Sequence, residues 1–277
     1  EVYVTANGDE TDLDLGHYER FAEVETNKYS NITSGRLYMN LLNKERRGDY
    51  LGKTVQIVPH LTDEIKEFIG LNEEEYDFVL CEVGGTVGDI EANPMIEAIR
   101  QFRAERDRSG TISVHVTLIP WINAAKELKT KPTQHSVMQL MERGNNPDLI
   151  VCRTSHPLSD SLKDKIARYS NLKADRIIEA IDMDSIYKVP LYYANQGMMT
   201  IISKLTLLPT FDFANLDIIN ERRDKWLQLA ANIDITQQQT NFITLGIVGK
   251  YVPYDDAYKS LIESINHASW YLGKKVI

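Results

Sequence analysis

Residues 78–91, FVLCEVGGTVGDIE, are the stretch of sequence that decides the fold. The stretch opens with Phe78–Glu82, a short apolar run that ends in a carboxylate, and the pair Gly84-Gly85 follows. A short apolar run bounded by turn residues predicts a buried strand of a parallel sheet. Glycine lets the backbone turn sharply and approach a ligand closely. Because ligands of open α/β sheets collect at the carboxyl ends of the strands, we expect a ligand beside Glu82.

Glu82 is a candidate ligand of Mg²⁺. A carboxylate in this position can hold Mg²⁺ against a nucleotide phosphate, as the acid after the second strand does in P-loop enzymes. Asp89 and Glu91 bring two more carboxylates to the same stretch. The plainer interpretation is a strand, a turn and an acidic helix start, because Asp and Glu favour helix N-termini. We favour the plainer interpretation for Glu91 alone and the functional one for Glu82.

The composition is that of a globular protein with an acidic balance. The chain has 277 residues, is 43% hydrophobic and 26% charged, and carries a formal net charge of −9. This charge argues against non-specific nucleic-acid binding, and the apolar runs are too short to span a membrane. Cys81 and Cys152 both lie in apolar runs. We therefore expect two reduced core thiols and a cytoplasmic protein.

Both ends of the chain have the sequence of internal segments. Residues 1–5, EVYVT, are already strand-like at the first position, and Val276-Ile277 follow directly on Gly273-Lys274-Lys275. We expect the chain to be an internal piece of a longer protein.

Asp12 and Asp14 belong to an acidic segment, ETDLDLG, at residues 10–16. Alternation of acidic and apolar residues along an extended segment points both aspartates the same way. Clustered carboxylates suit a hard cation with oxygen ligands. A solvated acidic loop is the alternative, and on this segment alone it is slightly favoured.

A loop at residues 129–134, KTKPTQ, has the composition of an anion site. It follows a strand predicted at Ile112–Ile119 and precedes a helix that is predicted to stop at Gly144. Lysines just before a helix N-terminus form an anion site by position and charge. An exposed basic loop is the alternative. Because Lys129 and Lys131 flank a single threonine, with hydroxyl and amide donors behind them, we favour phosphate binding.

Predicted strands and helices alternate along most of the chain. Strands are predicted at Thr54–Val58 and Asp148–Cys152, and helices at Asp63–Ile69, Tyr187–Lys204 and Leu216–Ala231. The alternation implies βαβ units and an α/β fold with a mainly parallel sheet flanked by helices. A polar connector at Gln237-Gln238-Gln239 precedes a new apolar strand that starts at Phe242. We therefore place a domain boundary near Thr240.

Four blocks of the sequence closely resemble the synthetase domain of the CTP synthase family. They are ETDLDLGHYERF (10–21), KERRGDYLG (44–52), CEVGGTVGDIE (81–91) and KTKPTQHS (129–136). Long uninterrupted motifs in a fixed order are far more specific than a short glycine motif. The resemblance implies a P-loop-NTPase-like, dethiobiotin-synthetase-like synthetase (amidoligase) domain at residues 1–232, incomplete at its N-terminus. It also implies a linker at residues 233–241 and the truncated start of a class I glutaminase domain at residues 242–277.

The resemblance implies an activity and a set of partners. The family aminates UTP to CTP with ATP as co-substrate and nitrogen from glutamine or ammonia, through a 4-phosphorylated UTP intermediate. It implies Mg²⁺ as cofactor, GTP as allosteric activator and CTP as feedback inhibitor. It also implies a homotetramer, with filaments in several members, and partners that include neither nucleic acid nor membrane.

The resemblance also assigns roles to individual residues. It implies that Mg²⁺ is held by Asp14 and Glu82. It implies UTP and CTP binding by Asp89, Ile90, Glu91, Lys129, Thr130, Lys131, Pro132, Thr133, Gln134 and Lys165. Contact with ATP is implied for Asp14, Arg153, Asp182 and Met183, the last through its backbone. A lid loop facing the glutaminase domain is implied at Arg46, Arg47 and Gly52.

Two parts of the family pattern are missing from the chain. The P-loop strand would precede Glu1, and the glutaminase nucleophile, which neither Cys81 nor Cys152 matches, would follow Gly249. We therefore expect this piece alone to be inactive. Two alternatives stay open. One is a related amidotransferase ligase acting on a carboxylate, against which the KTKPTQ loop argues; the other is an inactive or regulatory paralogue that acts through oligomer assembly.

Overall fold

The polypeptide divides into two compact units. The computed structural model describes residues 3–206, 217–251 and 253–277, without the side chains of residues 217–220 and 255. Residues 1–42 and 220–277 form one unit, called here the terminal unit, and residues 43–219 form the other, called the sheet unit. Among the described residues, no helix combines the length and the apolar character needed to cross a membrane.

The helices are distributed over the whole described chain. They are α1 (Asp14–Ala22), α2 (Ser34–Arg47), α3 (Thr62–Ile69), α4 (Asn93–Ala104), α5 (Lys131–Glu142), α6 (Asp160–Tyr169), α7 (Val189–Asn195), α8 (Met198–Thr206), α9 (Asp217–Gln237) and α10 (Lys259–Leu272).

The strands form one parallel sheet of three strands and three pairs. They are β1 (Tyr3–Val4), β2 (Glu10–Thr11), β3 (Val114–Leu118), β4 (Trp121–Ile122), β5 (Glu127–Leu128), β6 (Leu149–Thr154), β7 (Ile177–Ile181), β8 (Phe242–Ile243) and β9 (Lys275–Val276). The pairs are β1–β2, β4–β5 and β8–β9.

The three-stranded sheet is the core of the sheet unit. Its order is β3-β6-β7, and both pairings are parallel, with Val116 opposite Val151 and Val151 opposite Ile178. The first four residues of the central strand β6 are buried. A central strand buried on both faces needs apolar residues at every position, which explains the run LIVC. The predicted parallel sheet flanked by helices is confirmed.

Helices cover both faces of this sheet. On one face, Ile150 and Cys152 of β6 pack with Val137 of α5 and Ile166 of α6. On the other face, Val151 packs with Ile201 of α8. Each fully buried Ile, Leu or Val contributes roughly 1.5–3 kcal/mol relative to an exposed side chain, so these two layers hold the unit together.

The run Phe78–Glu82, predicted as a buried parallel strand, is not a strand in the structure. All five residues are exposed, and Leu80 is 96% exposed. In the described part of the chain no strand pairs with this run, and β6 is the only neighbour of β3 in its sheet. Apolar composition favours burial, but a strand also needs a partner strand for its backbone hydrogen bonds. The run Phe78–Glu82 has no such partner among the described residues. Gly85 does adopt the predicted turn, with φ +90°.

The strand predicted at Thr54–Val58 is also wrong. Residues 57–61 form a single π-helical turn that leads into α3. The backbone N–H of Gln56 donates to Nδ1 of His60 at 3.0 Å, and Pro59 has no N–H to give to a ladder. Local hydrogen bonds therefore replace strand pairing in this segment. The helix predicted at Asp63–Ile69 is confirmed as α3.

The helix predicted at Tyr187–Lys204 is present as two helices. Gly197 lies between α7 and α8 and has φ +77°, which ends the first helix in a left-handed conformation. The other predicted helix, Leu216–Ala231, corresponds to α9, and Leu216 itself lies outside the described residues. The helix runs on to Gln237, into the segment predicted as a linker.

The two cysteines differ in burial. Cys152 is fully buried, as predicted, and burial raises the pKa of its thiol to about 11. Cys81 is exposed, so its assignment to the core is wrong. The reason is again that the run Phe78–Glu82 does not join the sheet.

The terminal unit contains the strand pairs β1–β2 and β8–β9, the helices α1 and α10, and most of α2 and α9. Tyr3 of β1 donates its hydroxyl to Glu19 of α1, and Phe21 lies 5.5 Å from Trp226 of α9, centroid to centroid. Strands β8 and β9 are parallel and are joined by α10, so residues 242–276 form a small β-α-β unit. The strand predicted to begin at Phe242 is confirmed.

Candidate nucleotide-binding site

The start of α5 is fixed to the carboxyl end of β3. The hydroxyl of Thr133, which is fully buried, lies 3.0 Å from the carbonyl oxygen of Leu118 and 3.2 Å from the hydroxyl of Thr117. Thr130 is the N-cap residue, and Pro132 lies in the first turn. Proline is favoured there because the first helical N–H groups have no intrahelical acceptor. The remaining free N–H groups and the helix dipole therefore face the edge of the sheet where ligands of α/β proteins bind.

Gln134 carries a buried polar group without a partner. Its side chain is 4% exposed, its Nε2 lies 2.9 Å from Oγ1 of Thr130, and its Oε1 has no hydrogen-bond partner among the described residues. The two ends of an amide exchange roles if the group is flipped, and the Thr130 hydroxyl can donate as well as accept. In the flipped arrangement the amide N–H₂ is the free group. An unpaired buried donor beside a helix N-terminus suits an anionic ligand.

The two lysines of the loop, Lys129 and Lys131, lie at the start of α5. Lys131 is exposed at the first position of α5. Lys129 forms an ion pair with Glu127 of β5, and its backbone N–H donates to the carbonyl oxygen of Pro120 at 3.0 Å. Both side chains of the Lys129–Glu127 pair are about half exposed, so the pair is weak and a phosphate can compete for the lysine.

Two of the residues assigned to ATP contact lie at neighbouring strand ends. Arg153 is in β6, and Asp182 follows β7. The backbone N–H of Asp182 donates to the carbonyl oxygen of Thr154 at 2.9 Å. The parallel register brings the Arg153 guanidinium to 3.4 Å from the Asp182 carboxylate, and both side chains are largely exposed. Met183 follows and is partly buried. The structure thus brings these three residues together at the carboxyl edge of the sheet.

A stacked aromatic pair at the same edge was not selected from the sequence. The rings of Trp121 and His156 are 3.9 Å apart, centroid to centroid, with an interplanar angle of 15°. The pair follows β3 and β6, and Nδ1 of His156 lies 2.9 Å from Oγ of Ser155. Aromatic faces of this kind can pack against a nucleobase. The sequence signal that was available is an aromatic ring within three positions of the end of each of two neighbouring strands.

The segment Asp89–Glu91 lies along the second half of α5, not at its start. The turn at Gly88 lies close to Gln139, where an added Cβ would be 3.6 Å from Oε1. Gln139 is eight residues from Lys131, which is about 12 Å along a helix. Asp89, Ile90 and Glu91 are all exposed, and the last two belong to a short 3₁₀ turn before α4. Within the sheet unit the structure therefore does not bring Asp89–Glu91 to the lysine loop.

The remaining predicted residues lie on exposed surfaces. Lys165 is on α6. Arg46 and Arg47 end α2, Arg47 pairs with Asp49 at 2.8 Å, and Gly52 has φ +75°.

The two acids assigned to Mg²⁺ lie in different units. Asp14 is the first residue of α1, because β2 ends at Thr11 and Leu13 already has helical φ and ψ. Its side chain is exposed. Glu82 is exposed at the end of its run. Carboxylates are the oxygen ligands that Mg²⁺ prefers, so the donor chemistry fits. Within the described ranges no group of three His, Cys, Asp or Glu side chains is placed to hold a metal ion.

The fold and the edge of the sheet define a class of protein. A parallel sheet flanked by helices, with a lysine-bearing helix start at its carboxyl edge, is typical of α/β synthetase domains of the P-loop-like type. A sequence model of the family described as CTP synthase N-terminus matches residues 1–208. The chain therefore belongs to the CTP synthase family.

Individual relatives have the same family name. CTP synthase of Sphingopyxis alaskensis is 51% identical over 267 residues, which are 96% of this chain and 47% of the relative. CTP synthase of Zymomonas mobilis is 50% identical over 267 residues, with the same coverage. CTP synthase of Staphylococcus aureus is 49% identical over 278 residues, which cover 100% of this chain and 50% of the relative. The chain thus spans about half the length of the curated relatives it matches.

Proposed function

We propose that the chain is the nucleotide-binding region of a CTP synthase, which aminates UTP to CTP with ATP as co-substrate. The observation that carries the proposal is the start of α5, where Thr133 is fully buried and holds the helix against β3 beside Lys129 and Lys131. Family membership supports it, because relatives that match 96% and 100% of the chain bear this name.

In this proposal the start of α5 binds the triphosphate of UTP or of the inhibitor CTP. Free N–H groups of the first turn donate to phosphate oxygens, and Lys131 supplies a full positive charge. Lys129 exchanges its Glu127 partner for a phosphate oxygen. Gln134 contributes the buried amide that has no second partner among the described residues. Lys165 completes the phosphate contacts in this proposal, and the segment Asp89–Glu91, which does not reach the lysine loop, contacts the sugar or base at the other end of the nucleotide.

ATP binds beside this site in the proposal. Arg153, Asp182 and the backbone of Met183 contact the adenine nucleotide at the ends of β6 and β7, and Asp14 adds a further contact. Phosphoryl transfer needs positioning and charge neutralisation more than covalent chemistry from the protein. Mg²⁺, held by Asp14 and Glu82, would supply part of that neutralisation when bound.

The proposed reaction proceeds in two steps. The γ-phosphoryl group of ATP passes to the 4-oxygen of the uracil ring, leaving ADP. Ammonia then attacks carbon 4, and the C–O bond breaks to release phosphate. The sum is UTP, ATP and ammonia giving CTP, ADP and phosphate, with a proton released to solvent.

Further features belong to the same proposal. Glutamine is the source of the ammonia, GTP is an activator and CTP is a feedback inhibitor. The arginines at Arg46 and Arg47 and the turn at Gly52 act as a lid, and the enzyme is a cytoplasmic homotetramer.

The test is an assay of the full-length gene product with ammonia as nitrogen donor. We expect CTP and ADP in equal amounts, and no CTP when either UTP or ATP is left out. A folded protein that assembles into oligomers but forms no CTP would contradict the proposal. That result would favour the inactive or regulatory paralogue instead.

A further inference from the structure

A basic cavity lies at the amino edge of the parallel sheet, opposite the proposed nucleotide site. Its volume is about 820 Å³, and it is lined by residues that precede β3, β6 and β7, by the last turn of α4 and by Leu205 of α8. Six of the lining side chains are cationic: Arg100, Arg103, Arg106, Arg108, Lys173 and Arg176. Asp148 is the acidic residue that lines it. This concentration of positive charge stands out in a chain of net charge −9.

Two arginines of the wall are paired with acids on or beside it. Asp148 accepts from Arg103 at 2.7 Å and from the backbone N–H of Ser113 at 2.8 Å. Arg100 pairs with Glu97 through two hydrogen bonds of 2.7 and 2.8 Å. These pairs neutralise Arg103 and Arg100.

Three cations of the wall have no acidic partner. Arg108, Lys173 and Arg176 form no ion pair with any described residue, and Arg176 meets only the backbone carbonyl oxygen of Asp148, at 3.4 Å. Arg108 and Lys173 are exposed to the cavity and to solvent. A further arginine of the wall, Arg106, forms an ion pair with Glu73 at 2.7 Å. The cavity therefore keeps a positive charge of three after all its ion pairs are counted.

The wall is held by hydrogen bonds to rigid elements. Arg103 also donates to the carbonyl oxygen of Asn146 at 2.8 Å, and the buried Asn145 amide donates to the carbonyl oxygen of Ile96 at 2.9 Å. These bonds tie the loop before β6 to α4. A cationic site whose walls are fixed before binding loses less conformational entropy when a ligand arrives.

The cavity is separate from the start of α5. The strand β6, which has six residues, runs from one site to the other, and its length is roughly 16 Å. The lysine loop lies at the carboxyl end of the sheet and the cavity at the amino end. Charged side chains at one site therefore cannot contact a small ligand bound at the other.

We propose that this cavity binds a small anion with several phosphate groups. Arginine guanidinium groups bind phosphate through paired hydrogen bonds, and the volume is in the range of small-molecule sites. None of the described residues that line the cavity is aromatic, so recognition falls on the phosphates and not on a base. A concave site of this size fits a compact ligand better than a nucleic-acid backbone.

The experiment is a calorimetric titration of the protein with inorganic tripolyphosphate at fixed ionic strength. The test variant is Arg108→Ala with Lys173→Ala, since both side chains are exposed and their loss removes no hydrogen bond or ion pair within the described residues. The matched control is Arg222→Ala with Lys274→Ala, which removes the same two charges from exposed positions of the terminal unit. Lys131→Ala is titrated in parallel to remove the proposed UTP site.

We expect the cavity variant either to lose one tripolyphosphate site or to bind tripolyphosphate in the cavity at least about tenfold more weakly. The control pair should match the unmodified protein, and Lys131→Ala should keep the cavity site. The inference is overturned if the cavity variant and the control pair bind tripolyphosphate with equal affinity and stoichiometry. Loss of the cavity site in Lys131→Ala alone would overturn it as well, because the two sites would then be one.

Discussion

The hydroxyl of Thr133 donates a hydrogen bond of 3.0 Å to the carbonyl oxygen of Leu118, and this contact joins the start of α5 to the end of β3. Thr133 has no exposed surface. We expect Thr133→Val, which keeps the shape and removes the hydroxyl, to lower the free energy of unfolding by about 1–3 kcal/mol. Thr133→Ser keeps the hydroxyl and is the control for hydrogen bonding. Urea denaturation measures both, and equal stability of the valine variant and the unmodified protein would show that the bond is dispensable.

Gly144 and Arg100 approach each other closely at the end of α5. Gly144 has φ +76°, and an added Cβ would lie 2.7 Å from Cδ of Arg100. Gly197 has nearly the same φ, +77°, with nothing within 4 Å of an added Cβ, so it is a matched control. Both alanine variants should lose about 1 kcal/mol to the left-handed backbone, and Gly144→Ala should lose more because it displaces Arg100. Equal losses in the two variants, measured by urea denaturation, would contradict the close approach.

The buried His115 should make stability depend on pH. Burial lowers the pKa of His115 below its ordinary value of 6.5, and its Nε2 lies 2.9 Å from the hydroxyl of Ser136. Between the folded and unfolded pKa values the unfolded chain binds more protons, so the folded state loses stability as the pH falls below 6.5. The loss stops once the pH is below the folded pKa.

The measurement for His115 is the free energy of unfolding from pH 8 to pH 5, compared with His115→Gln. His17, whose pKa is also lowered by burial, is present in both proteins, so the difference between the two curves isolates His115. We expect the variant to show the shallower decline. Parallel curves over the whole range would rule out the effect.

Much of the sheet and of the lysine loop could be predicted from the sequence. Strand β6 and the stop of α5 at Gly144 follow from apolar runs and a glycine, which act locally. The position of the lysine loop follows as well, because a loop after a parallel strand must lie at the carboxyl edge of the sheet.

The segments that the sequence predicted wrongly depend on distant partners. Phe78–Glu82 has the composition of a strand, but pairing requires another strand beside it, and sequence pattern does not report whether one is present. The stacking of Trp121 on His156 and the charge left uncompensated near Arg176 arise from residues far apart in the chain. The sequence places Trp121 and His156 after neighbouring strands, but spacing along the chain does not report whether the rings stack or which charges stay unpaired.

Glu82 tests the metal part of the proposed function. In the full-length gene product, Glu82→Ala should lower ammonia-dependent CTP formation by at least about 100-fold, because it removes charge stabilisation of the transferred phosphoryl group. Basal hydrolysis of glutamine should be largely unchanged. Glu75→Ala, which removes an exposed acid from the same unit, is the control and should stay active. Near-normal CTP formation by Glu82→Ala would exclude it as a metal ligand.

Lys131 gives the most direct test of the central claim that the start of α5 holds the pyrimidine nucleotide triphosphate. Screening limits the range of the interaction between exposed charges to about 8 Å at physiological salt, so Lys131 acts on a bound phosphate only at short distance. The measurement is a set of binding titrations of Lys131→Ala and of the exposed control Lys274→Ala with UTP, CTP and a non-hydrolysable ATP analogue. We expect Lys131→Ala to weaken UTP and CTP binding in parallel by about tenfold or more, and ATP-analogue binding to change less. Collapse of ATP-analogue binding, with UTP and CTP bound as in the control, would contradict the claim.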